Sequence, residues 1–387
     1  MPSDAGVNPS ALAGRVACPS ATRCLLVGTF ADSSATLRAY ASSGLVGPWS
    51  KGTEIAPPTN ANADPGVSLD ALSCPSPSAC IAAGSYTDRA IGGSPMVADW
   101  NSGTWSRGIE LTLPFDQNSS RSSALSALSC SARTSCVAVG NYINAIDEVL
   151  SITATERDGH WGVLRVIPPP SDLGAAPDEP SYAGAEGLAL LNDMSCTSAT
   201  SCVAVGEYSS ARRGQVGLIA TLAHGRWSER AAPVPNDAVA NPLEALTSVS
   251  CRSGLCVAVG YYSAHNGTRP LVELETNGTW RIAGALVLPT GGRPGQIDEL
   301  DSVSCASSSS CVAVGEYTTA SGLREPMFVS GSATKWPRAT RVAVPDDAAR
   351  NPLVSLTTVT CVTSARCIAA GSYLDVRNVQ QAFVVSL

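Results

Sequence analysis

The chain has 387 residues and a formal net charge of -7, with only 15% of its residues charged. A mildly acidic chain without basic runs lacks the electrostatic footprint of a nucleic-acid binder. No apolar run approaches the roughly 18 residues of a membrane-spanning helix, and the opening MPSDAGVNPS has neither the basic start nor the apolar core of a signal peptide.

Read in order, the chain is seven copies of one unit. Each copy is a short apolar strand, a cysteine, a tight polar loop, a second cysteine, and a stronger strand ending in Gly-x-aromatic. The cysteines pair as Cys18 with Cys24, Cys74 with Cys80, Cys130 with Cys136, Cys196 with Cys202, Cys251 with Cys256, Cys305 with Cys311, and Cys361 with Cys367, which uses all 14. The aromatics are Phe30, Tyr86, Tyr142, Tyr208, Tyr262, Tyr317 and Tyr373. Such self-similarity predicts an all-β chain: a single seven-bladed β-propeller over 1–387, with mostly four-stranded antiparallel blades. The blades fall at approximately 12–56, 69–114, 125–168, 191–235, 246–289, 300–345 and 356–387.

The fifth unit shows the pattern most fully. Its strands are predicted at 246–250, 256–262, 270–276 and 279–288, with Asn277-Gly278 as a two-residue hairpin turn before Trp280. The turn and tryptophan recur at Gly103-Thr104-Trp105, Gly159-His160-Trp161 and Gly225-Arg226-Trp227, and more loosely at Gly47-Pro48-Trp49 and Thr334-Lys335-Trp336. These tryptophans and the aromatics after each glycine read as packing residues between blades, with a sugar-stacking platform as the alternative. The stretch 185–194 is the best case for a helix, and strand or a single helical turn is preferred there. The connection 169–187 is a long proline- and glycine-rich inter-blade loop. The start of the chain resembles the linkers VPNDAVANPLEAL and VPDDAARNPLVSL, and the end stops after a third strand. The seventh blade is therefore expected to have three strands, with an open edge at 382–387.

An even set of cysteines, locally paired in every repeat, reads as a disulfide framework and argues for export, with the signal outside this sequence. Reduced core cysteines and a metal site are the alternatives, but one pair per blade spreads the ligands around a ring. Function should lie where the copies disagree. Four residues before each first cysteine stand Gly14, Asp70, Ser126, Asn192, Thr247, Asp301 and Thr357, expected to line the central channel or its mouth, with Arg15 and Asp193 beside them. After each strand-ending glycine stand Thr29, Ser85, Asn141, Glu207, Tyr261, Glu316 and Ser372. Paired carboxylates are what a glycosidase needs, so Glu207, Glu316, Asp70, Asp301 and Asp193 are the catalytic candidates. Asn141, Tyr261, His265 and Asn192 are the binding candidates, His265 with Tyr261 being the local pair a lyase could use. Calcium is the one cofactor considered, without an EF-hand-like loop. His160 and His224 read as surface turns. Nucleophile-elbow, phosphate-loop and metalloprotease motifs are absent. Asn118-Ser119-Ser120, Asn266-Gly267-Thr268 and Asn277-Gly278-Thr279 fit the glycosylation pattern.

Units of the form SVSCxSxxxCVAVGxY, followed by a Gly-x-Trp hairpin, resemble the cysteine-paired repeats of large exported proteins of actinobacteria and related soil bacteria. The resemblance covers nearly the whole chain. It implies a secreted or cell-envelope propeller and brings no catalytic residues with it. The expected function is a non-enzymatic binding or scaffold module, monomeric, whose partner is a carbohydrate or an extracellular protein, not nucleic acid. The alternative is a carbohydrate-active enzyme, glycosidase before lyase, at the propeller mouth.

Overall fold

The computed structural model describes residues 2–6, 10–44, 49–89, 92–117, 122–174, 187–252, 254–293 and 297–387. The loose hairpin at Gly47-Pro48, the acceptor pattern at 118–120 and most of the long inter-blade loop lie outside the described residues. The rest forms seven antiparallel sheets in chain order, each a blade of a β-propeller. Blades one to six have four strands in sequential order, and in blades two and three an extra short segment also pairs with the third strand. Blade seven has three: Ser355–Thr363, Arg366–Leu374 and Gln380–Ser386.

The first strand of every blade packs beside the first strands of its two neighbours, so these strands ring the axis. Blade one closes on blade seven through Thr357, whose hydroxyl donates to the Ala13 carbonyl (3.0 Å), and through Ala11 N–H to the Gln380 carbonyl (3.2 Å). The N-terminal segment follows the linker phase read from the sequence, since Ala5 bridges Asp32 as Ala348 bridges Asp375.

The disulfide framework expected from the repeats is present in full. Cys18 bonds to Cys24, Cys74 to Cys80, Cys130 to Cys136 and Cys196 to Cys202. Cys251 bonds to Cys256, Cys305 to Cys311 and Cys361 to Cys367, so no cysteine is left free. Each bond joins the first strand of a blade to its second across the hairpin that connects them. Cys24, Cys80, Cys136, Cys202, Cys256, Cys311 and Cys367, the second members of the pairs, are all buried. The reduced-cysteine and metal alternatives are thereby set aside for all 14 positions.

The serine before the first cysteine has its own task. The hydroxyls of Ser73, Ser129, Ser195, Ser250 and Ser304 accept the backbone N–H of the next blade's first cysteine at 2.9–3.3 Å. One residue type thus satisfies a donor that the antiparallel ladder of its own blade cannot reach.

Each innermost strand carries a β-bulge, located at the residue four before the first cysteine. A bulge re-aims a side chain and bends the strand that carries it. At Gly260 an added Cβ would collide with the Ala245 carbonyl oxygen, which explains glycine at the end of the second strand.

The aromatics after the glycines are buried between blades, as expected from the sequence, and Tyr86, Tyr142, Tyr208 and Tyr317 are almost fully enclosed. Tyrosine hydroxyls reach the linkers: Tyr262 donates to Asp237 (2.9 Å) and Tyr373 to Asp347 (2.7 Å). Each buried apolar cluster draws on two adjacent blades, so the core is a set of wedges around the axis.

One element assignment differs from the sequence reading. The fourth strand of blade five is Thr279–Ile282 and stops well short of 288. Gly284 follows at φ +106°, a conformation that ends a ladder. In the fourth unit the preference for strand over helix holds: the strand is Ala189–Ser198, whose Ala189, Leu191 and Met194 pack into the wedge shared with blade three.

Candidate functional site

The bulged residues meet as the sequence pattern predicts. Gly14, Asp70, Ser126, Asn192, Thr247, Asp301 and Thr357, with Arg15, line a cavity of about 270 Å³ at one end of the channel. Arg15 also lines a second cavity of about 280 Å³ deeper along the axis. Between them Arg15 of blade one reaches Asp193 of blade four (3.1 Å), and this ion pair bars the channel. Asp193 also accepts the Ser248 hydroxyl and the Val249 N–H. It is engaged in holding blades one, four and five together.

Most of the ring is likewise committed to structure. Ser126 donates to Leu191 O, Asn192 to Leu246 O (3.1 Å), Thr247 to Leu300 O (2.6 Å) and Thr357 to Ala13 O. Each bond runs to the next blade's inner strand. Asp70 and Asp301 occupy the same position but carry carboxyls, which can donate only when protonated. Desolvation raises the carboxyl of Asp70, opposed by a hydrogen bond that the Ser68 hydroxyl shares between its two oxygens (2.9 and 3.0 Å) and by the charge of Arg15. Burial holds Asp301 well above the usual carboxylate range, and the charge of Glu299 pushes in the same direction.

Asp301 belongs to a group that sequence reasoning only half found. Glu299, on the same strand, faces Glu316 across the ladder. One guanidinium nitrogen of Arg324 contacts both, Glu316 at 2.6 Å and Glu299 at 3.2 Å. Two carboxyls thus share one cation, with Asp301 close enough to feel its charge. Burial first, and then the hydrogen bond to Glu299, pushes the Glu316 carboxyl up to about 9. Its side chain is 5% exposed, against 20% for Glu299 and 33% for Arg324. The pairing of Glu299 with Glu316 could have been read from the repeat phase, since Leu300 must face Gly315.

The remaining candidates scatter. Glu207 stands apart from this group, with Asn192 as its side-chain partner, and burial pushes its carboxyl up to about 7. Asn141 has both ends of its amide engaged with the Leu191 backbone (2.8 and 3.3 Å), which ties blade three to blade four. Tyr261 is half-buried on the second strand of blade five, and His265 is exposed in the turn that follows. Among the described residues no group of three or more His, Cys, Asp and Glu is arranged to hold a metal ion, and no helix is long and apolar enough to cross a membrane.

A larger hollow, of about 920 Å³, lies on the side of the propeller between blades three and four. In blade three the third strand is Val149–Arg157, and the outer edge is broken into His160–Trp161 and Arg165–Val166. Blade four presents the longer strand Arg226–Ala231. The break leaves a groove lined by Trp161 and Trp227, by Arg157, Arg165 and Arg226, and by His160. Both tryptophans pack part of their surface on the wedge cores and keep part open. His160, read from the sequence as a surface turn, opens the edge strand and faces this groove.

No protein-family model and no curated protein matches the chain. Solved structures do resemble it in fold. The lectin BP39L of Burkholderia pseudomallei aligns over 98% of this chain and 96% of its own, at 12% identity and a TM-score of 0.56. The Hadza microbial sialidase Hz136 aligns over 87% and 66%, at 10% identity and 0.47. A protein of unknown function from Dyadobacter fermentans aligns over 82% and 92%, at 11% and 0.47. At these identities the likeness is one of fold. The protein is a seven-bladed β-propeller with one disulfide in every blade.

Proposed function

We propose that the protein is a non-enzymatic binding module that acts outside the cytoplasm and holds a saccharide in the groove between blades three and four. The observation that carries this reading is the groove's lining. Two tryptophans, Trp161 and Trp227, and three arginines, Arg157, Arg165 and Arg226, line a hollow of about 920 Å³. Indole rings offer apolar faces to the C–H faces of sugars, and arginine forks hydrogen-bond their oxygens. Seven disulfides support an oxidising compartment, where such bonds persist. The test is a glycan array probed with the protein, with Trp227→Ala and with Arg226→Ala. We expect retention of a saccharide class that both variants bind more weakly while keeping the wild-type melting profile. Binding that both variants retain at wild-type strength, or no binding at all, contradicts the proposal.

One observation favours a second reading, glycoside hydrolysis at the channel mouth. Glu316 keeps its proton near neutral pH beside Glu299, which is the state a general acid requires. Hydrolysis of any glycoside that Glu316→Gln abolishes would establish this second reading.

A further inference from the structure

We infer that the groove between blades three and four takes an acidic oligosaccharide, one whose carboxylate or sulfate groups meet Arg157, Arg165 and Arg226. This rests on the saccharide-binding reading and narrows it to a ligand class. The first support is charge placement. The chain is acidic overall, yet the lining of this groove contains three arginines and a histidine and no aspartate or glutamate. The second is that these arginines have no partner. Arg15, Arg38, Arg269, Arg324, Arg341 and Arg377 are all held in ion pairs. Arg157, Arg165 and Arg226 make no ion pair or side-chain hydrogen bond among the described residues.

Nearby acids do not neutralise them. Asp158 offers its backbone carbonyl to the His160 ring at 3.0 Å and its carboxyl is not part of the lining. Glu229 lies between the same two blades near Ser151, with both oxygens buried and unpartnered, and burial pushes it up to about 8, so it is uncharged near neutral pH.

Spacing argues for an oligomer rather than one sugar. Arg165 stands opposite Thr153, and Arg157 lies four residues further along that same strand. At the usual rise per strand residue their roots are about 13 Å apart. Arg226, at the first position of blade four's outer strand, lines the same groove. A ligand that touches both Arg157 and Arg165 spans several rings. Single-stranded nucleic acid also combines stacking with charge, but the disulfides favour a compartment where saccharides, not nucleic acids, are the abundant acidic polymers.

The test is calorimetric titration with an oligogalacturonide, its carboxyl-reduced neutral counterpart, a sulfated oligosaccharide and an oligothymidylate. We expect the oligogalacturonide or the sulfated ligand to bind about tenfold or more tighter than the neutral one, and the preference to shrink as salt rises. The binding arm identifies which acid group the site prefers. The triple variant carrying Arg157→Gln, Arg165→Gln and Arg226→Gln should lose the preference and keep weak, salt-insensitive binding through the tryptophans. Equal binding of the neutral ligand overturns the charge inference and leaves saccharide binding standing. Binding of oligothymidylate as tight as that of the best saccharide, or of no saccharide at all, overturns both.

Discussion

Replacing Glu244 with valine should flatten the dependence of stability on pH. Glu244 and Glu273 are fully buried, and neither carboxyl has a hydrogen-bond partner. Glu244 packs against Gly217 of blade four, and Glu273 lies on the third strand of blade five. Several of their counterparts in other blades are apolar, although blade six has Asp298 and blade three Ser123 at the Glu244 position, and blade one Ser42 at the Glu273 position. Val67 and Val354 stand where Glu244 does, and Ala98, Ala154, Ala220 and Val329 where Glu273 does. Burial pushes Glu244 from an ordinary value of 4.5 up to about 7, opposed by the neighbouring Gly217 backbone and the charge of Arg213. Glu273 is raised by burial and then by the charge of Glu244, opposed by Arg230. The unfolded chain therefore releases these protons at lower pH than the folded one. Stability is complete below the ordinary value of 4.5 and is lost as pH rises toward 7. For Glu244 alone the shift corresponds to about 3 kcal/mol. The valine variant loses side-chain volume at every pH, so the informative quantity is slope. Urea denaturation of both proteins, disulfides intact, at several values between about pH 4 and pH 8 should show the wild type losing about 3 kcal/mol relative to the variant over that window. Parallel curves would refute the argument that a buried, unpartnered carboxyl is held there.

Two further perturbations probe the axis. Arg15→Met leaves Asp193 without its cation inside the channel and should destabilise the protein by about 3 kcal/mol in the same denaturation assay, whereas adding Asp193→Asn to that variant should recover most of the loss. Ser250→Ala strips the acceptor from the buried Cys305 N–H and should cost about 1–2 kcal/mol, with faster hydrogen exchange at that amide as the local readout.

Much of the fold was legible because each repeat restates it. The register of cysteine, glycine and aromatic placed seven blades and located the residues of the channel mouth. The disulfides were legible for the same reason, since Cys18 and Cys24, like every later pair, flank a hairpin too short to let them part. The serine of the SVSC phrase was visible but mute, because its partner is an N–H on the next blade and no pattern within one unit reveals it. The bulge at the mouth residues was hidden for a similar reason: it is a property of strand pairing, not of composition. At the site, Asp301 and Glu316 were singled out while Glu299 was not, although the run Asp298-Glu299-Leu300-Asp301 is dense in acids. Reading it required carrying the Leu300–Gly315 pairing one residue further. The lateral groove was less accessible still. Trp161 and Trp227 were correctly read as packing residues, yet they also keep an open face. Arg157, Arg165 and Arg226 lie at outer edges whose strands differ in length from blade to blade, so alignment of the repeats does not bring them together.

The most direct measurement of the saccharide-binding account is a crystal structure of the protein soaked with an acidic oligosaccharide. The account predicts density along the groove, with sugar rings against Trp161 and Trp227 and acid groups at Arg157, Arg165 and Arg226. An empty groove with a sugar, or its cleaved product, beside Glu299 and Asp301 at the channel mouth would contradict it.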